Sequence, residues 1–156
     1  MSGFIFIASD TLLNEVNPTR FLTLTAKDIK QLKHKPVGPM PWEDAPDEAK
    51  VIWQINEQTE SLQVEYCESP PYVLDSYTKK PFIYQLGGNL YQQNTIEELY
   101  TYIVEKVNEG IPIELWSVWI GNENPNMVRK TVSIDQFATE DIQMIHTPDS
   151  CCTIIR

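Results

Sequence analysis

The amino-acid sequence predicts an α+β fold: a single domain over residues 1–156, with a mainly antiparallel sheet of about six strands, one long helix packed on it and one or two short helices. Three observations support this class. Short apolar segments of strand character occupy both halves of the chain, one strongly amphipathic segment separates them, and the length of 156 residues suits one domain. Strands grouped before and after a helix are typical of α+β folds, whereas parallel sheets alternate strand and helix.

The first part of the chain is predicted to start the sheet. Residues 3–8 are apolar at most successive positions, which is typical of a strand buried on both faces. Residues 21–24 form a second short apolar segment, which we interpret as another strand. Thr25 is predicted to cap a short helix that continues to Lys33, because a threonine hydroxyl can accept a hydrogen bond from a free N–H of the first helical turn.

The next part is predicted to supply a loop and four strands. Residues 36–50 contain four prolines, so we expect an acidic, proline-rich surface loop. Segments 51–55 and 62–66 alternate apolar with polar residues, and we interpret them as a hairpin closed by a polar turn. Segments 72–76 and 82–86 are predicted to form a second pair of strands.

The strongest helix prediction covers residues 95–109. Thr95 and Glu98 match a capping box, in which a hydroxyl and a carboxylate satisfy free N–H groups at the helix start. Gly110 can adopt the left-handed conformation that ends a helix, and Pro112 prevents continuation. The apolar residues repeat at the spacing of one helical face and predict a helix lying on the sheet. They are Ile96, Leu99, Tyr100, Ile103, Val104 and Val107.

The last part is predicted to complete the sheet. Residues 113–120 form the longest strand-like segment after the helix. A turn over residues 122–126 would return the chain to a strand at 128–134 that pairs with it. Segments 142–145 and 152–155 are interpreted as short late strands.

The charge is strongly negative and unevenly distributed. The chain has 22 Asp and Glu against 12 Lys and Arg, a formal charge of −10, and nine of the acids but one base fall within residues 36–77. Such a field repels nucleic acid and anionic membranes and attracts basic proteins. The segment from Arg20 to Lys35 is the basic exception. Two roles remain open for it: contact with phosphate, or pairing with the acidic loop of the same molecule.

The sequence favours a cytoplasmic protein. No apolar stretch approaches the roughly 18 residues that span a bilayer, and no basic residue precedes the N-terminal apolar run as it would in a signal peptide. An odd number of cysteines, three, does not suit a disulfide framework, so free thiols are expected.

No catalytic signature is present, and no catalytic residue, metal ion or cofactor is predicted. The most suggestive cluster is His146 with Cys151 and Cys152. It lacks the second pair of ligands that a closed zinc site needs, and a C-terminal strand with small buried thiols is the simpler interpretation. A small enzyme or small-ligand-binding protein with a site around His146 or His34 remains an alternative.

The acidic loop is the strongest candidate for a partner-binding site. Trp42 lies among acids on a chain stiffened by proline, and tryptophan is a frequent anchor of protein interfaces. The simpler alternative is that Trp42 fills the edge of the core while the acids face water. The residues predicted to bind a partner are Trp42, Glu43, Asp44, Asp47, Glu48, Glu57, Glu60 and Glu65.

These features lead to a functional hypothesis: a non-catalytic, acidic protein-binding module whose partner is a basic, toxin-like protein. In physical character the chain is similar to bacterial immunity proteins and antitoxins that block basic nucleases, although no motif is shared. Nucleic acid and membrane are not expected partners. A homodimer is compatible with the sequence, and a homo-oligomeric structural protein is the second alternative.

Overall fold

The computed structural model describes residues 2–55, 60–121 and 127–156. Its contacts divide the chain into two compact units, Met1–Pro18 with Gln58–Arg156, and Thr19–Glu57. We call the first the sheet unit and the second the ribbon unit, and we describe each separately. The prediction of a single domain over residues 1–156 stays a prediction.

The α+β class is confirmed, with eight strands in the described residues. In chain order the strands are β1 (Ser2–Ser9), β2 (Arg20–Thr25), β3 (Lys50–Ile55), β4 (Gln63–Tyr66), β5 (Phe82–Gly87), β6 (Ile113–Ile120), β7 (Val128–Val132) and β8 (Cys151–Ile155). The α-helices are α1 (Ala26–Lys30), α2 (Gln93–Asn108) and α3 (Thr139–Gln143). Short 3₁₀ turns cover Trp42–Asp44, Tyr72–Ser76, Ile134–Gln136 and Met144–His146.

The sheet unit contains a six-stranded sheet in the order β4-β5-β1-β6-β8-β7. All neighbours are antiparallel except β7 and β8, which are parallel. β1 lies inside the sheet, between β5 and β6, as its unbroken apolar run predicts. Phe6, Ile7 and Ala8 are fully buried because both faces of this strand are covered.

The long helix α2 lies on one face of the sheet, as predicted. Ile96, Leu99 and Ile103 pack in one apolar cluster with Ile7 of β1 and Leu115 of β6. Each fully buried side chain of this size contributes roughly 1.5–3 kcal/mol of transfer free energy. Burial of these apolar residues of α2 therefore explains why the helix lies on the sheet. This face carries the larger of the two cores.

The end of α2 follows the prediction, but its start does not. Gly110 has a φ of 87°, the left-handed conformation expected after the helix. The helix begins at Gln93, and the predicted capping box is wrong. Thr95 donates instead to the carbonyl of Glu60, and Glu98 accepts from the backbone N–H of Leu62. Both side chains tie the helix to the segment before β4.

The other face of the sheet is covered by a 3₁₀ turn. Leu74 of this turn packs with Phe6, Trp116 and Cys152 in a second apolar cluster. The prediction of a strand over residues 72–76 is therefore wrong. Two prolines precede the turn, and Pro71 adopts a φ of −52°, which suits entry into a turn.

Two further predicted pairings of strands are wrong. β3 pairs with β2, and β4 pairs with β5, so segments 51–55 and 62–66 are strands that do not form a hairpin. β7 pairs with β8 rather than with β6.

The prediction of a strand over residues 142–145 is wrong. These residues belong to α3 and the following 3₁₀ turn, because the backbone N–H of Ala138 donates to Asp141 and starts a helix. The predicted turn over 122–126 lies outside the described residues.

The ribbon unit consists of the antiparallel pair β2–β3, helix α1 and the proline-rich loop. Thr25 caps α1 as predicted, because its hydroxyl accepts from Asp28 N–H while the Asp28 carboxylate accepts from the Thr25 backbone. The helix ends at Lys30, short of the predicted Lys33. Ala26 and Ile29 of α1 are buried, and so is Ala45 of the proline-rich loop.

Candidate functional site

Trp42 holds the proline-rich loop together from within. Its side chain is half-buried, and its indole N–H donates to the carbonyl of Pro36 at 2.7 Å. The ring lies against Gly38 so closely that an added Cβ there would be 2.7 Å from a ring carbon. Trp42 therefore has a structural role in the loop, and its predicted role as an anchor for a partner stays a prediction.

Two of the loop carboxylates are bound by lysines of the same unit. Lys35 Nζ lies 2.7 Å from Glu43 Oε1, and Lys30 Nζ lies 2.8 Å from Asp47 Oδ1. The hydrogen bond from each lysine holds the pKa of its carboxyl partner below the ordinary value. Of the two roles left open for the basic segment, pairing with the acidic loop is observed. Because these pairs are exposed, their contribution to stability is small.

The other predicted partner-binding acids are spread over the chain. Asp44 and Glu48 are exposed, and neither has an ion pair among the described residues. Glu57 lies outside the described residues. Glu60 is exposed and Glu65 is half-exposed on β4, and both belong to the sheet unit. The structure thus brings the residues from Trp42 to Glu48 together in one loop and assigns Glu60 and Glu65 to the other unit.

The two units differ completely in formal charge. The ribbon unit has six acids and six bases and therefore no net charge. The sheet unit has sixteen acids and six bases, so it carries the whole formal charge of −10. The acidic stretch 36–77 spans parts of both units, and the lysines of α1 and its flank compensate the part in the ribbon unit. The surplus of carboxylates is a property of the sheet unit.

An open groove of about 670 Å³ lies along α2 in the sheet unit. No lysine, arginine or histidine is among the described residues that line it. Helical spacing brings its acids to one side of α2, opposite the apolar stripe, because residues three or four positions apart share a face. The lining residues are Asn14, Val16, Asn17, Ser61, Leu62, Asn94, Glu97, Glu98, Thr101, Tyr102 and Glu105.

Hydrogen bonds fix the walls of this groove. Glu98 Oε2 accepts from the Leu62 N–H at 2.9 Å, and the Tyr102 hydroxyl donates to the Asn14 carbonyl at 2.7 Å. Burial raises the pKa of Tyr102, so this hydroxyl stays protonated. Glu97 and Glu105 are exposed, and the nearest cation to Glu105 is Lys106, whose Nζ lies 3.6 Å away. The arrangement can accept hydrogen bonds from cationic groups such as guanidinium or ammonium.

The sequence contained a signal for this groove. Glu97, Thr101 and Glu105 follow at intervals of four residues on the polar side of the amphipathic segment. Acids near the start of a helix are also explained by the helix dipole, which favours negative charge there. The sequence alone therefore does not distinguish that effect from a role in the groove. The opposite wall comes from residues 14–17 and 61–62, and their position beside α2 depends on the fold.

His146, Cys151 and Cys152 form the chemical cluster that the sequence singles out. His146 Nε2 lies 3.0 Å from the Leu90 carbonyl, and the ring stacks on Tyr91 with centroids 4.3 Å apart. Its Nδ1 is buried and has no hydrogen-bond partner among the described residues. Burial raises the pKa of Cys151, and it raises that of Cys152 to about 12, so both thiols are protonated and poor nucleophiles.

The remaining candidates for chemistry are His34 and a metal site. His34 is an exposed residue of the basic segment. Across the described ranges, no three His, Cys, Asp or Glu side chains converge as ligands of a metal ion. No described helix has the length and apolarity needed to cross a membrane.

Comparison of the chain with protein-family models, with curated proteins and with solved structures finds no match. The site must therefore be judged by its own geometry and charge.

Proposed function

We propose that the protein is a non-catalytic binding module whose acidic sheet unit engages a basic protein. The observation that carries this proposal is the separation of charge: the sheet unit holds the entire net charge of −10, while the ribbon unit is neutral. A field of this size attracts a basic partner and raises the rate constant of association. The increase is largest at low salt concentration, because added salt screens the field.

The groove along α2 supports a specific place for this contact. Its acids Glu97, Glu98 and Glu105 are exposed, and the groove has a volume of about 670 Å³. Carboxylates form paired hydrogen bonds with guanidinium groups, so arginine side chains of the partner fit this chemistry best. Asp44 and Glu48 of the loop are exposed acids that offer a second place of contact.

The finer proposal concerns the kind of partner. A basic nuclease binds the phosphates of nucleic acid in a cationic cleft, and a protein that presents exposed carboxylates can occupy that cleft in their place. We therefore propose an immunity or antitoxin type of action against a basic, nuclease-like toxin. Inhibition of this kind needs binding and steric blockage alone.

Three variants of equal net charge test the place of contact. Glu97→Gln with Glu105→Gln removes two charges from the groove, Asp44→Asn with Glu48→Gln removes two from the loop, and Glu68→Gln with Asp75→Asn is the matched control. The probe is an arginine-rich peptide, with association followed by surface plasmon resonance at several salt concentrations. A selective loss in the groove variant supports the proposal. Equal losses in all three variants would show a diffuse field without a site.

The finer proposal has its own test. A small basic ribonuclease is mixed with the intact protein, and cleavage of RNA is measured. Inhibition that weakens in the groove variant and persists in the matched control supports the immunity type of action. Binding of the peptide without any inhibition of the nuclease would restrict the protein to a general binding module.

A further inference from the structure

The proline-rich loop contains a spacing of prolines that the proposed function does not use. Pro36 and Pro39 are three positions apart, and Pro41 follows two positions later. A proline fixes its own φ near about −65° and restricts the residue before it to extended conformations. Within residues 35–41, Val37 is therefore the one residue that no proline constrains. The sequence dictates an extended backbone for this segment.

The structure has the extended backbone that these prolines dictate. Residues 35–38 form neither helix, strand, turn nor bend, and the chain bends at residues 39 and 40. No residue from 33 to 41 has a positive φ, and none of residues 33–40 makes a backbone–backbone hydrogen bond to another described residue. These are features of polyproline II, an extended helix with three residues per turn and no internal hydrogen bonds.

Trp42 holds this segment from one side. Its indole N–H donates to the Pro36 carbonyl, and its ring lies against Gly38. In polyproline II, three successive residues lie on three different edges of the helix, because three residues complete a turn. The ring of Trp42 covers the edge of Gly38, while Val37 and Pro39, which lie on the other two edges, are exposed. A segment that is already held in one conformation loses little entropy when it binds a partner.

The exposed side chains of residues 37–41 are apolar. Val37 is 103% exposed, and Met40 is 53% exposed. Pro39 and Pro41 are exposed as well. Apolar side chains gain free energy when they leave water, so four of them within five residues are typical of a contact with another molecule.

Spacing and charge together select the kind of partner. Extended segments with prolines three positions apart dock into grooves lined by aromatic side chains, because their preformed conformation costs little entropy and their backbone carbonyls are free to accept hydrogen bonds. Lys33 lies three positions before Pro36, is exposed, and has no ion pair among the described residues. Its ammonium group can therefore pair with a carboxylate of the partner. An aromatic groove bordered by carboxylates matches the segment in both shape and charge.

We propose that residues 33–41 are a docking segment for a proline-recognition domain of the SH3 type, whose aromatic groove is bordered by carboxylates. The aromatic side chains contact Val37 and Pro39, and a carboxylate beside the groove pairs with Lys33. This interaction is independent of the proposed function, because it uses neither the groove along α2 nor the loop acids Asp44 and Glu48.

The test is binding of the intact protein to a set of purified SH3 domains whose aromatic grooves are bordered by acids. Isothermal titration calorimetry should show one-to-one binding to domains of this set. Val37→Asp should raise the dissociation constant by about tenfold or more, because it replaces an apolar contact with a charge that the bordering acids repel. The side chain of Val37 is completely exposed, so this substitution leaves the fold intact. Pro39→Ala should produce a loss of similar size.

Lys33→Gln separates the charge from the apolar contacts. It should weaken binding by about threefold or more and reduce its dependence on salt, since the ion pair is lost. The matched control is Pro148→Ala, which removes an exposed proline of the sheet unit and should leave the affinity unchanged. Circular dichroism of each variant checks that the fold is retained.

The groove variant, Glu97→Gln with Glu105→Gln, should bind the SH3 domains like the wild type, which keeps this test separate from that of the proposed function. A wild-type protein that binds no domain of the set overturns the proposal, and so does binding that Val37→Asp and Pro39→Ala leave unchanged.

Discussion

Glu98 and Leu62 join the long helix to the segment before β4: the carboxylate Oε2 of Glu98 accepts the backbone N–H of Leu62 at 2.9 Å. Leu62 itself is 2% exposed and packs in the core beneath α2. One hydrogen bond thus links a wall of the groove to the apolar core of the sheet unit. The acids of the groove therefore have structural as well as electrostatic roles, and mutagenesis can separate the two.

Glu98→Ala is expected to destabilise the protein by about 1–3 kcal/mol, because it leaves a half-buried N–H without an acceptor. Glu97→Ala, on the same face, should cost less than about 0.5 kcal/mol, since Glu97 accepts from the exposed side chain of Gln93. Denaturation by urea measures both changes. Equal effects of the two substitutions would contradict a structural role for the bond to Leu62.

The glycine at position 88 is predicted to tolerate no side chain. Gly88 has a φ of +88°, and a Cβ there would be 2.1 Å from the carbonyl oxygen of Ser61. Gly88→Ala should therefore cost about 3 kcal/mol or more, combining backbone strain with the movement of a wall of the groove. Thermal or urea unfolding gives the value.

Gly110→Ala is the matched control for that substitution. Gly110 has nearly the same φ, +87°, and nothing lies within 4 Å of an added Cβ. Its substitution by Ala should cost about 1–2 kcal/mol from backbone strain alone. If Gly88→Ala lowers the free energy of unfolding by no more than Gly110→Ala does, the close approach of Ser61 does not contribute to the cost of the substitution.

Asp141 is predicted to make stability depend on pH in the acid range. Burial raises its pKa, but hydrogen bonds from Lys130 and from the Ala138 N–H outweigh this, and the pKa lies below the ordinary value. A lowered pKa means that the folded state favours the charged form. The stabilisation is therefore complete above the pKa of an unfolded Asp, about 3.9, and is lost as the pH falls through the folded value.

Asp141→Asn should remove this dependence and destabilise the protein by about 1–2 kcal/mol at pH 7. The free energy of unfolding of both proteins is measured between pH 2 and 7, and the two curves should converge at the acid end. Parallel curves would assign the acid sensitivity to other carboxylates.

The three cysteines are predicted to react in a fixed order. Burial raises the pKa of all three thiols, but Cys67 is half-buried, whereas Cys151 and Cys152 are fully buried. A thiol reagent such as Ellman's reagent at pH 8 should modify Cys67 first, and the other two should react after unfolding. Rapid modification of Cys151 or Cys152 in the native protein would show that these thiols are accessible and reactive, against the prediction.

The sequence by itself determined the elements whose pattern is local. The apolar run of β1, the helical stripe of α2, the glycine at position 110 and the strand β6 were all predicted, and the structure confirms them. Each depends on residues within a few positions of one another, because hydrophobic periodicity and turn preferences act over one or two turns of chain. The cap of α1 at Thr25 was predicted correctly, but that of α2 was not, since Thr95 and Glu98 bond to the segment before β4.

The tertiary structure alone decided which strands pair and where the net charge lies. β3 and β4 follow each other along the chain, but each pairs with a different strand, because a strand pattern specifies a face and not a neighbour. Likewise, the acidic stretch 36–77 is the most negative part of the sequence, but folding brings Lys30 and Lys35 onto Asp47 and Glu43. Electrostatic attraction depends on distance in space, so the charge of a surface follows from the fold and cannot be read from a window of sequence.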